Sequence, residues 1–350
     1  AGTKKLGNTT PGPVELQEIL AALAHGGVTH LALEASSHGL DQFRLDGVKL
    51  AAVGFTNITR DHLDYHPTFE AYLAAKLRLF SELAAPGAVA AINADAEHAE
   101  AFFAAAGTRG LKTIGVGEKG TEIRLVARTA LPDGQKLKVC CDGREYDIAL
   151  PLAGAFQASN ALVAAGFAVG LGEDPAAVFA ALAGVKGAPG RLEKVAVSAK
   201  GAPVFVDYAH TPDAIETILK ALRPHTARNL VVVFGCGGDR DKGKRPMMGK
   251  AAAALADRVI VTDDNPRSEN PAAIRQEILA GCPGAEEIGE RSEAIRSAVA
   301  GLEAGDVLAI AGKGHETGQI VAGKIHPFSD REEAVKAAVA LGGVGAGDFA

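Results

Sequence analysis

Short apolar runs alternate with longer, alanine-rich stretches along most of the chain. The apolar runs predict strands at 30–35, 51–57, 88–93, 203–208, 230–235, 258–263 and 307–312. The stretches between them predict helices, among them 67–84, 156–170, 212–222 and 292–302. Strands that are apolar almost throughout, and that alternate with helices, are typical of a parallel sheet covered on both faces.

Residues 111–150 break this rhythm, because the apolar segments 111–117, 122–129 and 136–150 follow one another there, with Asp-Gly pairs at 133–134 and 142–143. That pattern predicts a small antiparallel meander. The glycine- and proline-rich stretch 184–191 predicts a domain boundary. We therefore expect an α/β protein of two domains, a central domain at 1–189 with a parallel sheet and the meander, and a Rossmann-like C-terminal domain at 190–350. The last nine residues, 342–350, are expected to be a frayed tail.

The composition of the chain argues against several classes of function. A chain of 350 residues with 47% hydrophobic and 22% charged residues is globular, and its net charge of -6 argues against a nucleic-acid partner held by a basic surface. No apolar run is long enough to predict membrane insertion. The four cysteines show no metal-binding spacing, which favours free thiols in a reducing cytoplasm.

Unusual polar residues follow the predicted strands. In open α/β sheets ligands bind beyond the carboxyl ends of the strands, so these segments are the first candidates for a site. The segments are EASSHGL (34–40), TNITRDHLDYH (56–66), DYAHTPD (207–213), FGCGGDRDKGKRP (234–246), DDNPR (263–267) and AGKGHE (311–316).

Lys76 falls at the centre of the apolar face of the predicted helix 67–84. Its amine either reaches the surface past the apolar face, or stays buried with a lowered pKa and is nucleophilic. A buried amine could take up carbon dioxide and become an anionic carbamate, which with Glu34 and His62 would suit Mg²⁺. Read separately, Glu34 could equally be a turn or helix-cap carboxylate, and His62 a surface histidine.

The segment 238–244 matches the glycine and lysine spacing of a phosphate loop, but Arg245 stands where the Mg²⁺-binding hydroxyl belongs. We reject that assignment. Arg240 and Arg267 could each bind a carboxylate, and Glu316 could receive an ammonium, so three strand ends together predict a site for an amino acid with an extra carboxylate. Solvated, charged turns are the alternative for each residue alone.

Ten segments taken together resemble the Mur ligases, in the branch that adds diaminopimelate. They follow the order of that family along nearly the whole chain: NTTP (8–11), EASSHGLDQFR (34–44), TNITRDHLDYH (56–66), YLAAK (72–76), GAFQASN (154–160), GRLE (190–193), VDYAHTPDA (206–214), FGCGGDRDKGKRP (234–246), DDNPR (263–267) and GKGHE (312–316). The resemblance implies an ATP-dependent ligase of peptidoglycan precursor synthesis, and hence of cell wall biogenesis, cell shape and cell division. ATP would convert the D-glutamate carboxylate of UDP-N-acetylmuramoyl-L-alanyl-D-glutamate to an acyl phosphate, which the amine of meso-diaminopimelate attacks.

The resemblance also implies roles for individual residues. Lys76 matches a carbamylated lysine, with Glu34 and His62 as Mg²⁺ ligands. The positions that match binding of the UDP-muramoyl-dipeptide are Thr9, Thr10, Ser36, Gln42 and Arg44. Those in ATP-contacting motifs are Asn160, Arg191, Asp207 and His210. The positions that match the diaminopimelate pocket are Arg240, Asp264, Asn265, Arg267, Gly312 and Glu316, with Arg267 selecting diaminopimelate over lysine because lysine has no second carboxylate.

One departure concerns the start of the sequence. The family has a UDP-binding domain and a glycine-rich phosphate loop before the NTTP segment, where this sequence has AGTKKLG. We expect a truncated enzyme whose ligase activity alone is very low, because the ATP phosphates lose their main backbone donors. The alternative is a fragment that only binds the amino acid or the nucleotide. A nicotinamide-dependent oxidoreductase is disfavoured, since no strand is followed by G-x-G-x-x-G.

Overall fold

The computed structural model describes residues 7–59, 61–62 and 64–347. Residues 60 and 63 of the predicted segment 56–66, and residues 348–350 of the predicted tail, lie outside that description. The chain forms two compact units. The first contains the residues up to Ala127 with Lys138–Ile148 and Ser159–Ala181, and the second contains Arg128–Leu137, Ala149–Ala158 and Leu182–Ala350. The predicted boundary between 189 and 190 stays a prediction.

The elements up to residue 181 alternate between helices and strands. They are α1 (Pro13–His25), α2 (Ser37–Asp41), β1 (Ala52–Phe55), α3 (Phe69–Arg78), β2 (Val89–Asn93), α4 (Ala99–Arg109), β3 (Lys112–Gly117), β4 (Ile123–Leu131), β5 (Gly134–Cys141), β6 (Arg144–Leu150), α5 (Ala155–Gly170) and α6 (Pro175–Ala181). A π-helical turn, Leu79–Leu83, continues α3. The six strands form one sheet in sequence order.

The parallel part of this sheet extends further than predicted. Strand β3, expected in the meander, instead pairs in parallel with β2 along its length and with β4 at two positions. The reason is that α4 lies between β2 and β3, and such a crossover returns the chain in the same direction. Strands β4, β5 and β6 are consecutive neighbours joined by two-residue loops. In the second loop Asp142 and Gly143 both have positive φ, as a tight hairpin turn requires.

The strand predicted at 30–35 is wrong. In the described part of the chain this segment has no strand pairing, and Leu31 and Leu33 are 50% and 37% exposed. Alternating apolar residues become a strand only where a neighbouring strand supplies hydrogen bonds and a core covers the apolar side. The strands predicted at 51–57 and 88–93 are confirmed as β1 and β2.

The elements after residue 181 build a second sheet. They are β7 (Glu193–Val197), β8 (Pro203–Asp207), α7 (Pro212–Leu222), β9 (Leu230–Phe234), α8 (Lys244–Leu255), β10 (Arg258–Val261), α9 (Pro271–Leu279), β11 (Glu286–Glu287), α10 (Arg291–Ala300), β12 (Val307–Ala311), β13 (Gly318–Val321), β14 (Lys324–Pro327), α11 (Asp330–Ala340) and β15 (Val344–Gly345). Single turns of 3₁₀ helix lie at Leu182–Gly184 and Arg223–His225. The strand order is β11-β10-β9-β12-β8-β7-β15, while β13 and β14 form a separate antiparallel hairpin.

The second unit has the predicted α/β architecture. Strands β11, β10, β9, β12 and β8 are parallel, and β7 and β15 add an antiparallel edge. Successive residues of β9 face opposite sides of the sheet, so Val232 packs in one hydrophobic cluster and Val231 and Val233 in the other. The predicted tail is partly wrong, because β15 pairs with β7 and the Ala346 N–H donates to the Val195 carbonyl.

Within the described residues, no helix combines the length and the apolar character that a membrane crossing needs.

Candidate functional site

A cleft opens at the carboxyl ends of β9 and β12 in the second unit. These neighbouring strands send their connections in opposite directions, since β9 leads to β10 on one side while the chain after β12 returns towards β15 on the other. Such switch points are where open α/β sheets bind ligands. The cleft has a volume of about 250 Å³. All six residues predicted to bind the amino acid line it: Arg240, Asp264, Asn265, Arg267, Gly312 and Glu316.

Asn265 ties together the segments that form this cleft. Its side-chain nitrogen donates to Glu316 Oε2 at 2.9 Å, and its side-chain oxygen accepts from Lys313 Nζ at 3.0 Å and from the Ile320 N–H at 2.9 Å. The Asn265 carbonyl also accepts from the Gly238 N–H at 2.9 Å. The buried amide therefore fixes the turn after β10 against the loops after β9 and β12.

Arg267 follows the proline of this turn in an uncommon backbone conformation. Its φ is 52°, which a non-glycine residue adopts at a cost of roughly 1–2 kcal/mol. The β13–β14 hairpin offsets this cost: the Arg267 N–H donates to Ile320 O at 3.0 Å and its carbonyl accepts from the Ala322 N–H at 2.8 Å. The half-buried guanidinium donates through Nη1 to Gly238 O at 2.7 Å and faces the cleft.

Glu316 is the carboxylate expected to receive an ammonium. Burial alone would raise its pKa, but hydrogen bonds from Asn265 and Lys313 outweigh burial and lower the pKa below its usual value. Lys313 lies inside the GKGHE segment but was not predicted as a site residue. It was missed because its contact with Asn265, 48 residues earlier, cannot be read from spacing.

The segment that resembles a phosphate loop ends in a structural arginine. Arg245 is fully buried and makes a two-pronged pair with Glu269, at 2.9 and 3.0 Å, and a further bond to Glu277 at 2.8 Å. These hydrogen bonds hold the pKa of Glu269 down at about 2. A buried arginine at this position supports the rejection of a phosphate loop at 238–244.

Gly312 is needed where the backbone approaches Asp264. Its φ of +115° is a conformation reserved for glycine, and a Cβ atom there would lie 2.7 Å from Asp264 Oδ2. The Asp264 carbonyl is fixed in turn by Gln319, whose side-chain nitrogen donates to it at 2.7 Å. Asp264 and Gly312 thus form a tightly packed wall of the cleft.

Three of the four residues predicted to contact ATP meet around Tyr208 in the second unit. The Arg191 guanidinium lies 5.1 Å from the centre of the Tyr208 ring, and the His210 ring lies 4.7 Å from it. Asp207 accepts from the Leu192 and Ala209 N–H groups, both at 2.7 Å. Burial nevertheless raises the pKa of Asp207. The fourth residue, Asn160, is exposed on α5 in the first unit.

In the first unit, Lys76 is half-buried on α3. Burial lowers the pKa of its amine, although the carboxylates of Glu34 and Asp61 oppose this shift. The amine lies 5.3 Å from the centre of the Tyr72 ring. The predicted residue His62 is close by, since its ring centre is 5.8 Å from that of Tyr72. The structure therefore brings Glu34, His62 and Lys76 into one neighbourhood, where Glu34 and His62 are exposed.

Two further histidines belong to this neighbourhood and were not predicted. The ring of His38 lies 5.0 Å from that of His62 and 5.8 Å from that of His66. Burial lowers the pKa of His66, and its Nε2 has no hydrogen-bond partner among the residues that the structure describes. Among the residues that the structure describes, no group of three or more His, Cys, Asp and Glu side chains is arranged to hold a metal ion.

Four of the five residues predicted to bind the UDP-muramoyl-dipeptide are joined by hydrogen bonds. The Thr10 hydroxyl accepts from the Ser36 N–H at 3.0 Å, and the Thr10 carbonyl accepts from Arg44 Nη1 at 2.7 Å. Arg44 Nε donates to the side-chain oxygen of Gln42 at 3.1 Å, and the Gln42 nitrogen donates to the Tyr65 hydroxyl at 3.0 Å. The fifth residue, Thr9, is exposed at the start of this network.

This chain is similar to known proteins in sequence and in fold. A family model described as the Mur ligase middle domain matches residues 1–168, and one described as the glutamate ligase domain of Mur ligases matches residues 190–314. The UDP-N-acetylmuramoyl-L-alanyl-D-glutamate--2,6-diaminopimelate ligase of Caulobacter vibrioides is 60% identical over 331 residues, which are 95% of this chain and 68% of that protein. The ligase of the same name from Bradyrhizobium diazoefficiens is 58% identical, over 95% of this chain and 69% of its own length.

A solved structure is similar along almost the whole chain. It is a UDP-N-acetylmuramoyl-L-alanyl-D-glutamate--2,6-diaminopimelate ligase with 37% identity and a TM-score of 0.73. The similarity covers 97% of this chain and 71% of that one.

Proposed function

Because this chain belongs to the Mur ligase family, we propose that it is an ATP-dependent ligase that joins meso-diaminopimelate to the D-glutamate of UDP-N-acetylmuramoyl-L-alanyl-D-glutamate. The observation that carries the proposal is the cleft of the second unit, which contains all six residues expected to bind the amino acid. The names of the relatives support the same substrates. All four cysteines are free thiols, which supports the cytoplasm as the place of this step in peptidoglycan synthesis.

The reaction requires activation because a free carboxylate is a poor electrophile. ATP phosphorylates the D-glutamate carboxylate, and the resulting acyl phosphate has a leaving group that the attacking amine displaces as phosphate. The protein's share of this chemistry is to hold two anionic reactants and an amine in the right orientation, using cations placed beforehand.

The charges of the cleft suit an amino acid with two carboxylates. Arg240 is exposed at the rim and Arg267 is half-buried, so each guanidinium is available to a carboxylate. Glu316 is held ionised and can accept an ammonium. Lysine would satisfy the carboxylate Glu316 but would leave Arg267 without a second carboxylate, and this difference favours diaminopimelate.

The acceptor substrate is assigned to the hydrogen-bonded network of the first unit. Arg44 and Gln42 hold each other, and Thr10 and Ser36 connect them to the start of α2. A network fixed in this way presents polar groups that need not be reordered when the substrate binds. We assign Thr9, Thr10, Ser36, Gln42 and Arg44 to the UDP-muramoyl-dipeptide on this basis, and Asn160, Arg191, Asp207 and His210 to ATP.

Lys76 is assigned as the site of a carbamate and, with Glu34 and His62, as the place that holds Mg²⁺. The lowered pKa leaves more of the amine neutral near pH 7, and a neutral amine is the form that reacts with carbon dioxide. A carbamate with the Glu34 carboxylate gives oxygen ligands of the kind that Mg²⁺ prefers, and this ion is usually held by one or two such groups together with phosphates of the substrate. When bound, Mg²⁺ would neutralise charge on the phosphates.

Titration calorimetry tests the choice of amino acid. We expect these 350 residues to bind meso-diaminopimelate and to bind L-lysine more weakly. The complete product of the gene is then assayed for phosphate release and for the ligated nucleotide by mass spectrometry, with each amino acid in turn. Equal affinity for lysine, or ligation of lysine in preference, would contradict the proposed substrate.

A labelling experiment tests the carbamate on Lys76 independently of activity. In ¹³C-bicarbonate, the chain should show a carbamate carbon signal in its NMR spectrum that disappears in Lys76→Met. Lys49→Met is the matched control, since Lys49 is an exposed lysine of the same unit. A signal that persists in Lys76→Met, or that is never seen in the unchanged chain, refutes the assignment.

A further inference from the structure

Lys313 is a buried cation that contacts two residues lining the amino-acid cleft, Asn265 and Glu316. Its side chain is 0% exposed, whereas that of Glu316, three residues later, is 34% exposed and lines the cleft. The chain leaves β12 at Ala311, so Lys313 and Glu316 both belong to the tight loop that follows this strand. The cation is therefore hidden behind the anion that a ligand would meet.

The two carboxylate oxygens of Glu316 differ in their hydrogen bonds. Oε2 accepts from Lys313 Nζ and from the Asn265 side-chain nitrogen, both at 2.9 Å. Oε1 has no hydrogen-bond partner within the described part of the chain. Lys313 also donates to the Asn265 oxygen at 3.0 Å, so the three side chains form a closed triangle. One carboxylate oxygen is thus fixed from behind, and the other is left open.

We propose that Lys313 is a positioning residue that, together with Asn265, holds Oε2 of Glu316 so that Oε1 alone receives the ammonium of the amino acid. This inference rests on the proposed function. It assigns to Lys313 an effect exerted through Glu316, without contact with the ligand. A buried ion pair contributes little net stability compared with a well-packed apolar pair, so stability alone does not account for a cation at this position.

The protonation of Glu316 gives a measurable consequence. The positive charges of Lys313, in the same loop, and of Arg267, in the turn after β10, lower the pKa of Glu316. Arg291 of α10 also interacts electrostatically with Glu316. Removal of the Lys313 cation takes away one hydrogen bond and one favourable charge that lower the Glu316 pKa, while burial continues to raise it. Protonated Glu316 is a poor acceptor for an ammonium, so binding should weaken at a higher pH than in the unchanged chain.

The experiment measures binding of meso-diaminopimelate by calorimetry from pH 5 to pH 8 for Lys313→Met, Glu316→Gln and the double variant. We expect Lys313→Met to raise the Kd roughly 10-fold to 100-fold, as loss of a hydrogen bond to a charged group does. The acid-side loss of binding should move to higher pH. The double variant should bind about as weakly as Glu316→Gln, because Lys313 acts through Glu316.

The matched control is Lys336→Met, which removes a lysine paired with a glutamate at the same spacing of three residues but exposed on α11. It should leave the Kd and its pH profile unchanged. If Lys313→Met does not fold, Lys313→Gln keeps one donor for Glu316 and removes the charge, and its pH profile gives the same answer.

Each outcome decides between the two proposals. An unchanged Kd and pH profile in Lys313→Met, or effects of the two single variants that multiply in the double variant, overturn the role of Lys313 while the proposed function stands. Failure of the unchanged chain to bind meso-diaminopimelate overturns the proposed function itself, and the role of Lys313 with it.

Discussion

Two substitutions of Arg267 should differ in their effect on stability and agree in their effect on ligand affinity. The residue has a φ of 52° and donates through its side chain to Gly238 O. Arg267→Ala removes that hydrogen bond and keeps the backbone strain, so it should destabilise the fold by about 1–2 kcal/mol. Arg267→Gly removes the same bond but relieves strain of roughly 1–2 kcal/mol, so its stability should be close to that of the unchanged chain.

The affinity for meso-diaminopimelate should fall equally in both variants. A buried pair of a charged group with a ligand carboxylate is worth roughly 2–5 kcal/mol when one partner is truncated. Arg267 is half-buried, which places the expected loss at the lower end, about 2–3 kcal/mol or roughly 30-fold to 150-fold in Kd. The affinity for L-lysine should change little, since lysine has no second carboxylate.

Urea unfolding measures the stability of each variant, and calorimetry measures the affinity for both amino acids. Arg258→Ala is the matched control, because Arg258 begins the strand β10 that leads to this turn and pairs with Glu286 on the surface. The reasoning is refuted if both Arg267 variants retain the original affinity for meso-diaminopimelate, or if lysine affinity falls as far.

Two further predictions concern single residues of the second unit. Gly312→Ala should lower the free energy of unfolding by about 1–3 kcal/mol and abolish binding of meso-diaminopimelate, because the added Cβ meets Asp264 Oδ2. Gly323→Ala is the control, since Gly323 has a φ of +75° but open space around it, and this variant measures the backbone cost alone. Equal binding in the two variants would contradict the clash. His225 is buried between the Leu131 carbonyl and the Gly154 N–H, and burial lowers its pKa. The unfolded chain therefore takes up a proton at this histidine at a higher pH than the folded chain does. The stability that neutral His225 contributes is present above the unfolded pKa of about 6.5 and is lost as the pH falls. Urea unfolding between pH 7.5 and pH 5.5 should therefore show a steeper loss in the unchanged chain than in His225→Gln, and parallel curves would count against this role.

Local pattern predicted the second sheet well. The strands 203–208, 230–235, 258–263 and 307–312 are largely apolar runs, and each became a strand that is buried apart from the half-buried Arg258. The segment 30–35 has a similar composition but no neighbouring strand in the described chain, and it is exposed. Composition indicates which segments could form strands, whereas the presence of a neighbouring strand to pair with depends on the whole fold.

The candidate site was predictable where one segment carried the signal. The turn Asp-Asn-Pro-Arg could be recognised because an arginine is not needed for the turn itself. Contacts between segments could not be predicted in this way: Gln42 and Tyr65 are 23 residues apart, and Lys313 and Asn265 are 48 apart. Spacing along the sequence gives no information about such pairs, so the groups that fix the functional side chains are the ones that were missed.

The hairpin of β13 and β14 turns the backbone of Arg267 into a reporter. The amide hydrogen of Arg267 is bonded to the Ile320 carbonyl, and the Arg267 carbonyl is bonded to the Ala322 N–H. That hydrogen exchanges with water when the hairpin separates from the turn, so its exchange rate reports the frequency of this local opening. A molecule that bridges Arg267 and Glu316 would slow the exchange, and one bound in the first unit would leave it unaltered. Occupancy of the amino-acid cleft can therefore be followed at one peptide bond without a label on the ligand.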